Sequence, residues 1–279
     1  MRNLLKAFFF KLSKDLTFRI TAIVGIGLTV LLSAIYILID RMMVPPIHLY
    51  ATGQSMLVGS ISPTQNFGIA IPVNLISFTV LEFSQGTIRN KIIAGNSKSK
   101  VYITLFISGL IFTLLLLFSY IGLNVAIGSI AGGFDANGTI ANVGLLGSGK
   151  GSPEFFVKLM VLTILVYTFI TAFTLFFATL FRNVGPCIPI VIVFLMMCYF
   201  GAAILSLISE NAENVMKFIN PLYAISCPHV SMEPVGEHSY ISYVTIENDA
   251  FIASIVMNLV YSAIFFFGGL LIFKKRDVK

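Results

Sequence analysis

The chain has 279 residues, 57% hydrophobic and only 11% charged, with a net charge of +6. Soluble globular domains carry about 25% charged residues, so the composition excludes a soluble enzyme and predicts a protein that crosses a membrane several times. The basic excess does not mark a nucleic-acid binder, because lysines and arginines gather where loops meet apolar runs rather than along one soluble face.

Residues 1–19 read as an amphipathic helix. Leu5, Phe8, Phe9, Leu12 and Leu16 share one face, and Lys6, Ser13, Lys14 and Thr17 the other. Such a helix is expected in the cytosolic interface, its apolar face on the bilayer or the first span and its lysines near anionic lipid. The apolar run that follows is too long for a signal-peptide core and is not followed by a small-residue cleavage site.

Six apolar runs come next, at Ile20–Ile39, Phe67–Phe83, Val101–Ile127, Phe155–Phe181, Val184–Ile208 and Ala250–Phe273. A span needs about 20 residues, so the expected fold is an all-α polytopic membrane protein: an interfacial helix plus six transmembrane helices in one domain. The second run is interrupted by Pro72 and Asn74 and has an alternative start near Ser55. Only Arg182 and Asn183 separate the fourth run from the fifth, where Pro186 suits a first helical turn and Pro189 predicts a kink.

Charge sets the orientation. Arg2, Lys6, Lys11, Lys14, Arg19, Arg89, Lys91, Lys98, Lys100, Arg182, Lys274, Lys275, Arg276 and Lys279 fall on one predicted side, and Arg41, Lys150, Lys158 and Lys217 on the other. By the positive-inside rule both termini are cytosolic. Three loops then face outward, at about 40–66, 128–154 and 209–249. The last holds short apolar pieces, Val215–Ile219 and Leu222–Ile225, split by Asn220-Pro221 and too short to span.

Several motifs bear on chemistry. Gly144 to Gly151 approaches a phosphate loop, but Gly151 replaces the required hydroxyl and no strand–helix context surrounds it. The chain is therefore not expected to be an enzyme or to carry a cofactor or a metal. Cys227, His229, Glu233, Glu237 and His238 are metal-ligand types without a recognisable ligand spacing. Asn137-Gly-Thr139 fits a glycosylation acceptor, a pattern common by chance. Cys187 and Cys198 are eleven residues apart on one predicted helix, about 16 Å by helical rise, too far to form a disulfide. The predicted spans lack the paired His, Glu or Asp residues of membrane proteases and proton-driven carriers.

The remaining feature is a polar, basic island in the loop 84–100, between the second and third runs. It opens after Glu82 and reads Gly86-Thr87-Ile88-Arg89-Asn90-Lys91-Ile92-Ile93-Ala94-Gly95, followed by a basic, serine-containing link. Thr87–Ile93 is expected to form a short helix with Ile88, Ile92 and Ile93 on one exposed face, closed by Gly95. Glu82 is expected to pair with Arg89 or with a neighbouring helix.

This island, in wording and position, resembles the coupling helix of the permease subunits of type-2 ABC transporters, the ABC exporter family. The resemblance implies that Glu82, Gly86, Thr87, Ile88, Arg89, Asn90, Lys91, Ile92, Ile93 and Gly95 form a docking element for a separate ATPase. It implies two ATPase subunits, which hold ATP and Mg²⁺, a second permease, identical or paralogous, and a multi-pass place in a bacterial cell membrane. It also implies that the short pieces of 209–249 roof the pathway. The expected substrate is an amphipathic or hydrophobic molecule such as an antimicrobial peptide, a drug or a lipid-like compound, with Asn74, Phe78, Phe194, Met197 and Phe200 as candidate path residues. A second reading is a non-transporting sensor or immunity protein that binds a peptide or toxin and needs no ATPase.

Overall fold

A computed structural model describes residues 2–14, 16–42, 53–61, 70–84, 86–134, 152–206, 210–226, 229–234 and 240–275. In chain order the elements are α1 (Arg2–Lys14), α2 (Leu16–Met42), α3 (Gly53–Ile61), α4 (Ala70–Ser84), α5 (Thr87–Ile93), α6 (Lys98–Gly132), α7 (Ser152–Phe181), α8 (Val184–Ser206), α9 (Glu210–Ile219), α10 (Tyr223–Ser226), β1 (His229–Pro234), β2 (Tyr240–Thr245) and α11 (Asn248–Lys275). The described residues of each of the six apolar runs lie on a helix: α2, α4, α6, α7, α8 and α11. Among the described residues, Lys98–Gly132, Glu154–Phe181 and Asn248–Lys275 are long and apolar enough to cross a membrane. The chain is built as a helical membrane protein.

Three boundaries differ from expectation. The interfacial helix stops at Lys14, and Leu16 to Arg19 already belong to α2. The stretch around the alternative start near Ser55 forms a separate helix, α3, whose Met56, Ser60 and Ile61 are buried. It is fixed at both ends: Gly53 N–H donates to the Gly133 carbonyl (3.0 Å), and the Thr163 hydroxyl to that of Ile61 (3.2 Å). The loop 209–249 contains, besides its two short helices, an antiparallel hairpin pairing His229 with Thr245 through Pro234 with Tyr240. Tyr240-Ile-Ser-Tyr-Val-Thr245 is rich in β-branched and aromatic residues, a composition that favours a strand. Cys227, Glu237, His238 and the Asn137 and Gly144–Gly151 motifs lie outside the described residues.

The expected tight turn is present. Arg182 adopts φ 57°, reversing the chain between α7 and α8, and its N–H donates to the Ala178 carbonyl (3.0 Å). Pro186 sits in the first turn of α8, while Pro189 is carried inside it.

Helix faces are sorted as lipid requires. On α11, Ile252, Val256, Leu259, Val260, Ile264, Phe267 and Leu271 are exposed, whereas Ser254, Asn258 and Gly269 are buried. On α2, Thr29 and Ser33 turn inward. Lipid tails are as apolar as leucine, so small and polar groups go to helix contacts, where they pack closely or bond. Ser33 donates to Asn124 of α6 (2.8 Å), and the Asn258 amide donates to the Pro221 and Ser254 carbonyls (2.7 and 2.8 Å). Buried Thr79, Thr104 and Thr171 satisfy their hydroxyls on the carbonyl four residues back. The middle of the bundle is aromatic: Phe173 stacks on Phe194 (4.4 Å) and meets Phe265 edge-on (4.9 Å).

Between α8 and α11 the chain folds back into the protein. Asn220 ends α9, accepts from Leu222 N–H (3.0 Å) and donates to the Cys198 carbonyl (2.7 Å). Leu222, Tyr223, Ala224 and Ile225 are buried. The break at Asn220-Pro221 falls between the two short pieces as expected, and its buried non-helical backbone is tolerated because protein surrounds it.

Candidate functional site

The site is the turn from α4 through α5 into α6. Glu82 ends the apolar helix α4 with its side chain only 1% exposed. A carboxylate taken out of water must be paired, and the pairing is local. Gly86, at φ 66°, turns the chain sharply back before α5 begins. That reversal brings Thr87 and Lys91 over the end of α4. The Thr87 hydroxyl reaches both the Glu82 carbonyl and Oε2 (2.8 Å each), and Lys91 Nζ lies 2.7 Å from the same Oε2. Lys91 also sits 3.2 Å from the centroid of the Phe8 ring, a close cation–π contact. The ion pair between the neighbouring helices α4 and α5 is thus also met by α1, which is distant in sequence.

The far end of α5 is closed as expected. Gly95 takes φ 87° and its N–H donates to the Ile92 carbonyl (3.0 Å). The Asn96 side chain caps the Lys91 carbonyl (2.9 Å), and Ser97 caps α6 by accepting from Lys100 N–H (3.4 Å). Lys98 reaches across to the Lys274 carbonyl at the end of α11 (3.1 Å).

Two expectations about this stretch are corrected. Of the two partners expected for Glu82, Arg89 is not the one found; the neighbouring helix α5 supplies it, through Lys91. The isoleucines do not form one exposed face: Ile88 is buried among Phe8, Leu75, Phe78, Val101, Tyr102 and Leu105, Ile92 packs against that cluster, and only Ile93 stands out, 71% exposed. Together with exposed Arg89 and Asn90 it forms the outward surface of α5. The assignment of Phe8 to the bilayer or the first span is corrected too, since it packs on Phe78 (6.3 Å) inside the same cluster. Nothing in the sequence ties Phe8 to Lys91 beyond its place on an apolar helical face.

The five candidate path residues are not gathered into one lining. Phe78 stacks on Phe112 (5.6 Å) and Phe194 lies in the aromatic core. Asn74 is half-buried on α4, while Met197 and Phe200 are exposed on α8. Among the described residues no three His, Cys, Asp or Glu side chains cluster as metal ligands.

The model of a family described as protein of unknown function (DUF2705) matches residues 64–279. The chain belongs to this family. The DUF2705 match takes in α4, the whole turn at Glu82 and Lys91, and every element after it, but not α1 with Phe8. No curated protein and no solved structure matches this DUF2705 chain.

Proposed function

We propose that the protein is the membrane-spanning permease subunit of an ABC exporter, with six spans (α2, α4, α6, α7, α8 and α11) and both termini in the cytosol. It moves an amphipathic or hydrophobic substrate outward, driven by ATP hydrolysis in two separate ATPase subunits, and works beside a second permease. The observation that carries this reading is the construction of α5. A seven-residue helix is too short to be stable alone, yet this one is anchored by a buried ion pair and by Ile88, and it presents Arg89, Asn90 and Ile93 outward. That is a stiff lever with a small mixed contact surface. A push on it passes into α4 and α6 at the Glu82 turn, where an ATPase-driven change of state would bias the spans.

The test follows the corrected face. Replacing Arg89 and Ile93 together with Glu removes the charge-assisted rim and the exposed apolar contact, and leaves the internal pair intact. Binding of the ATPase, or coupling of its turnover to transport, should fall at least about tenfold, as for loss of a contact centre worth 1.4 kcal/mol or more, with insertion unchanged. Wild-type transport by this double variant would remove the coupling role. The orientation has its own check, by impermeant thiol labelling of cysteines placed singly in a cysteine-free background. Ser97→Cys should react only from the cytosol and Gly147→Cys only from outside, and cytosolic labelling of Gly147→Cys would reverse the topology.

A further inference from the structure

The helix α1 has two working faces. Phe8 points inward onto Lys91. The opposite side carries Lys6, Phe10 and Lys14, four residues apart and therefore in one stripe along the helix. All three are exposed, Phe10 by 69%. Lys6 and Lys14 belong on this side by the amphipathic pattern, and Phe10 interrupts it with an apolar ring.

An aromatic ring between two ammonium groups suits a lipid–water boundary, where the ring enters the acyl region and the lysines meet phosphate. Charge around it agrees. Arg19, Arg89, Lys100, Lys274 and Lys275 at the same end are exposed, and the acid there among the described residues, Glu82, is buried. We propose that α1 docks through Lys6, Phe10 and Lys14 on a membrane surface of anionic lipid, and that Phe8, seated on Lys91, relays this docking to α5. The regulatory consequence, coupling that depends on anionic lipid, rests on the permease reading; docking and relay do not.

The chain contains no tryptophan and ten tyrosines, so Phe10→Trp introduces a single tryptophan, excited selectively at the red edge. The full-length variant is placed in nanodiscs of phosphatidylcholine alone or with added phosphatidylglycerol. In anionic discs the emission should be blue-shifted and quenched by brominated acyl chains, and in neutral discs much less so. Adding Lys6→Gln and Lys14→Gln keeps the helix but should shift the docking equilibrium roughly thirtyfold toward the undocked state, about a factor of five per lysine. Equal emission in the two discs overturns the proposal. So does a shift that appears only when a second protein is added, which would make α1 a protein-binding element instead.

The relay is read separately, by amide hydrogen exchange over residues 87–97. Anionic lipid should slow exchange there several-fold, and Phe8→Leu, which keeps apolar bulk but removes the ring's attraction for Lys91, should abolish the difference. If the slowing survives Phe8→Leu, the relay is overturned. Neither measurement involves ATP, so failure of the permease reading is recognised independently, in the Arg89/Ile93 variant.

Discussion

Lys91→Met is expected to destabilise the protein by about 3 kcal/mol, the lower end for removing the cation of a buried ion pair, because Glu82 keeps the Thr87 hydroxyl on Oε2. The two partners are unequal. The Glu82 side chain is 1% exposed and that of Lys91 15%, so the carboxylate is the group that cannot recover its hydration. Glu82→Gln should therefore cost less than Lys91→Met, because the lysine retains a route to water and its seat on Phe8. Combining Glu82→Gln with Lys91→Met should return most of the lost stability, since the pair's attraction largely offsets its own desolvation. Thermal denaturation of the four proteins in one detergent measures the cycle. Equal midpoints for Lys91→Met and wild type would show that Glu82 finds another partner or stays in water. Insertion should be unaffected in all four, because the apolar character of α4 and α6 does not change.

Much of this molecule was legible in its apolar runs, because lipid imposes a long, unambiguous pattern. Elements set by the backbone itself were legible as well: the Arg182-Asn183 turn, the break at Asn220-Pro221, and the glycines that open and close α5. What the sequence concealed was which side of a short helix is covered. Ile88, Ile92 and Ile93 have the same chemistry, and only the third dimension shows that the first two lie on the core and Ile93 does not. The partner of Glu82 was hidden for a related reason. Lys91 is nine residues away and becomes adjacent only because Gly86 reverses the chain at a positive φ. On the longer helices, periodicity marks apolar faces but not whether lipid or protein meets them, which is why the candidate path residues scatter. The hairpin was hidden, and α3 showed only as an alternative start near Ser55, because short elements inside loops depend on tertiary packing more than on local preference.

Gly269→Ala should cost about 3 kcal/mol, the upper end for forcing a methyl into a packed core. At this position α11 comes so close to α6 and α7 that a β-carbon would lie 2.1 Å from the Tyr102 hydroxyl oxygen, 3.1 Å from the ring carbon bearing it and 3.4 Å from the Phe176 Cα. The tyrosine has nowhere to retreat. It is fully buried, with its ring against Phe266 and Phe273 (5.6 Å each). Its hydroxyl has no hydrogen-bond partner among the described residues, so it contributes no bond that a substitution would break. Tyr102→Phe alone should thus raise stability by about 1 kcal/mol, by removing an unsatisfied buried polar group. The same change deletes the atom nearest the new methyl. Gly269→Ala in the Tyr102→Phe background should then lie within about 1 kcal/mol of wild type, where additive effects would leave it about 2 kcal/mol less stable, a coupling of about 2 kcal/mol between residues 167 positions apart in sequence. Additive losses in the double variant would mean that the Phe176 backbone, not the phenol, sets the close approach of α11.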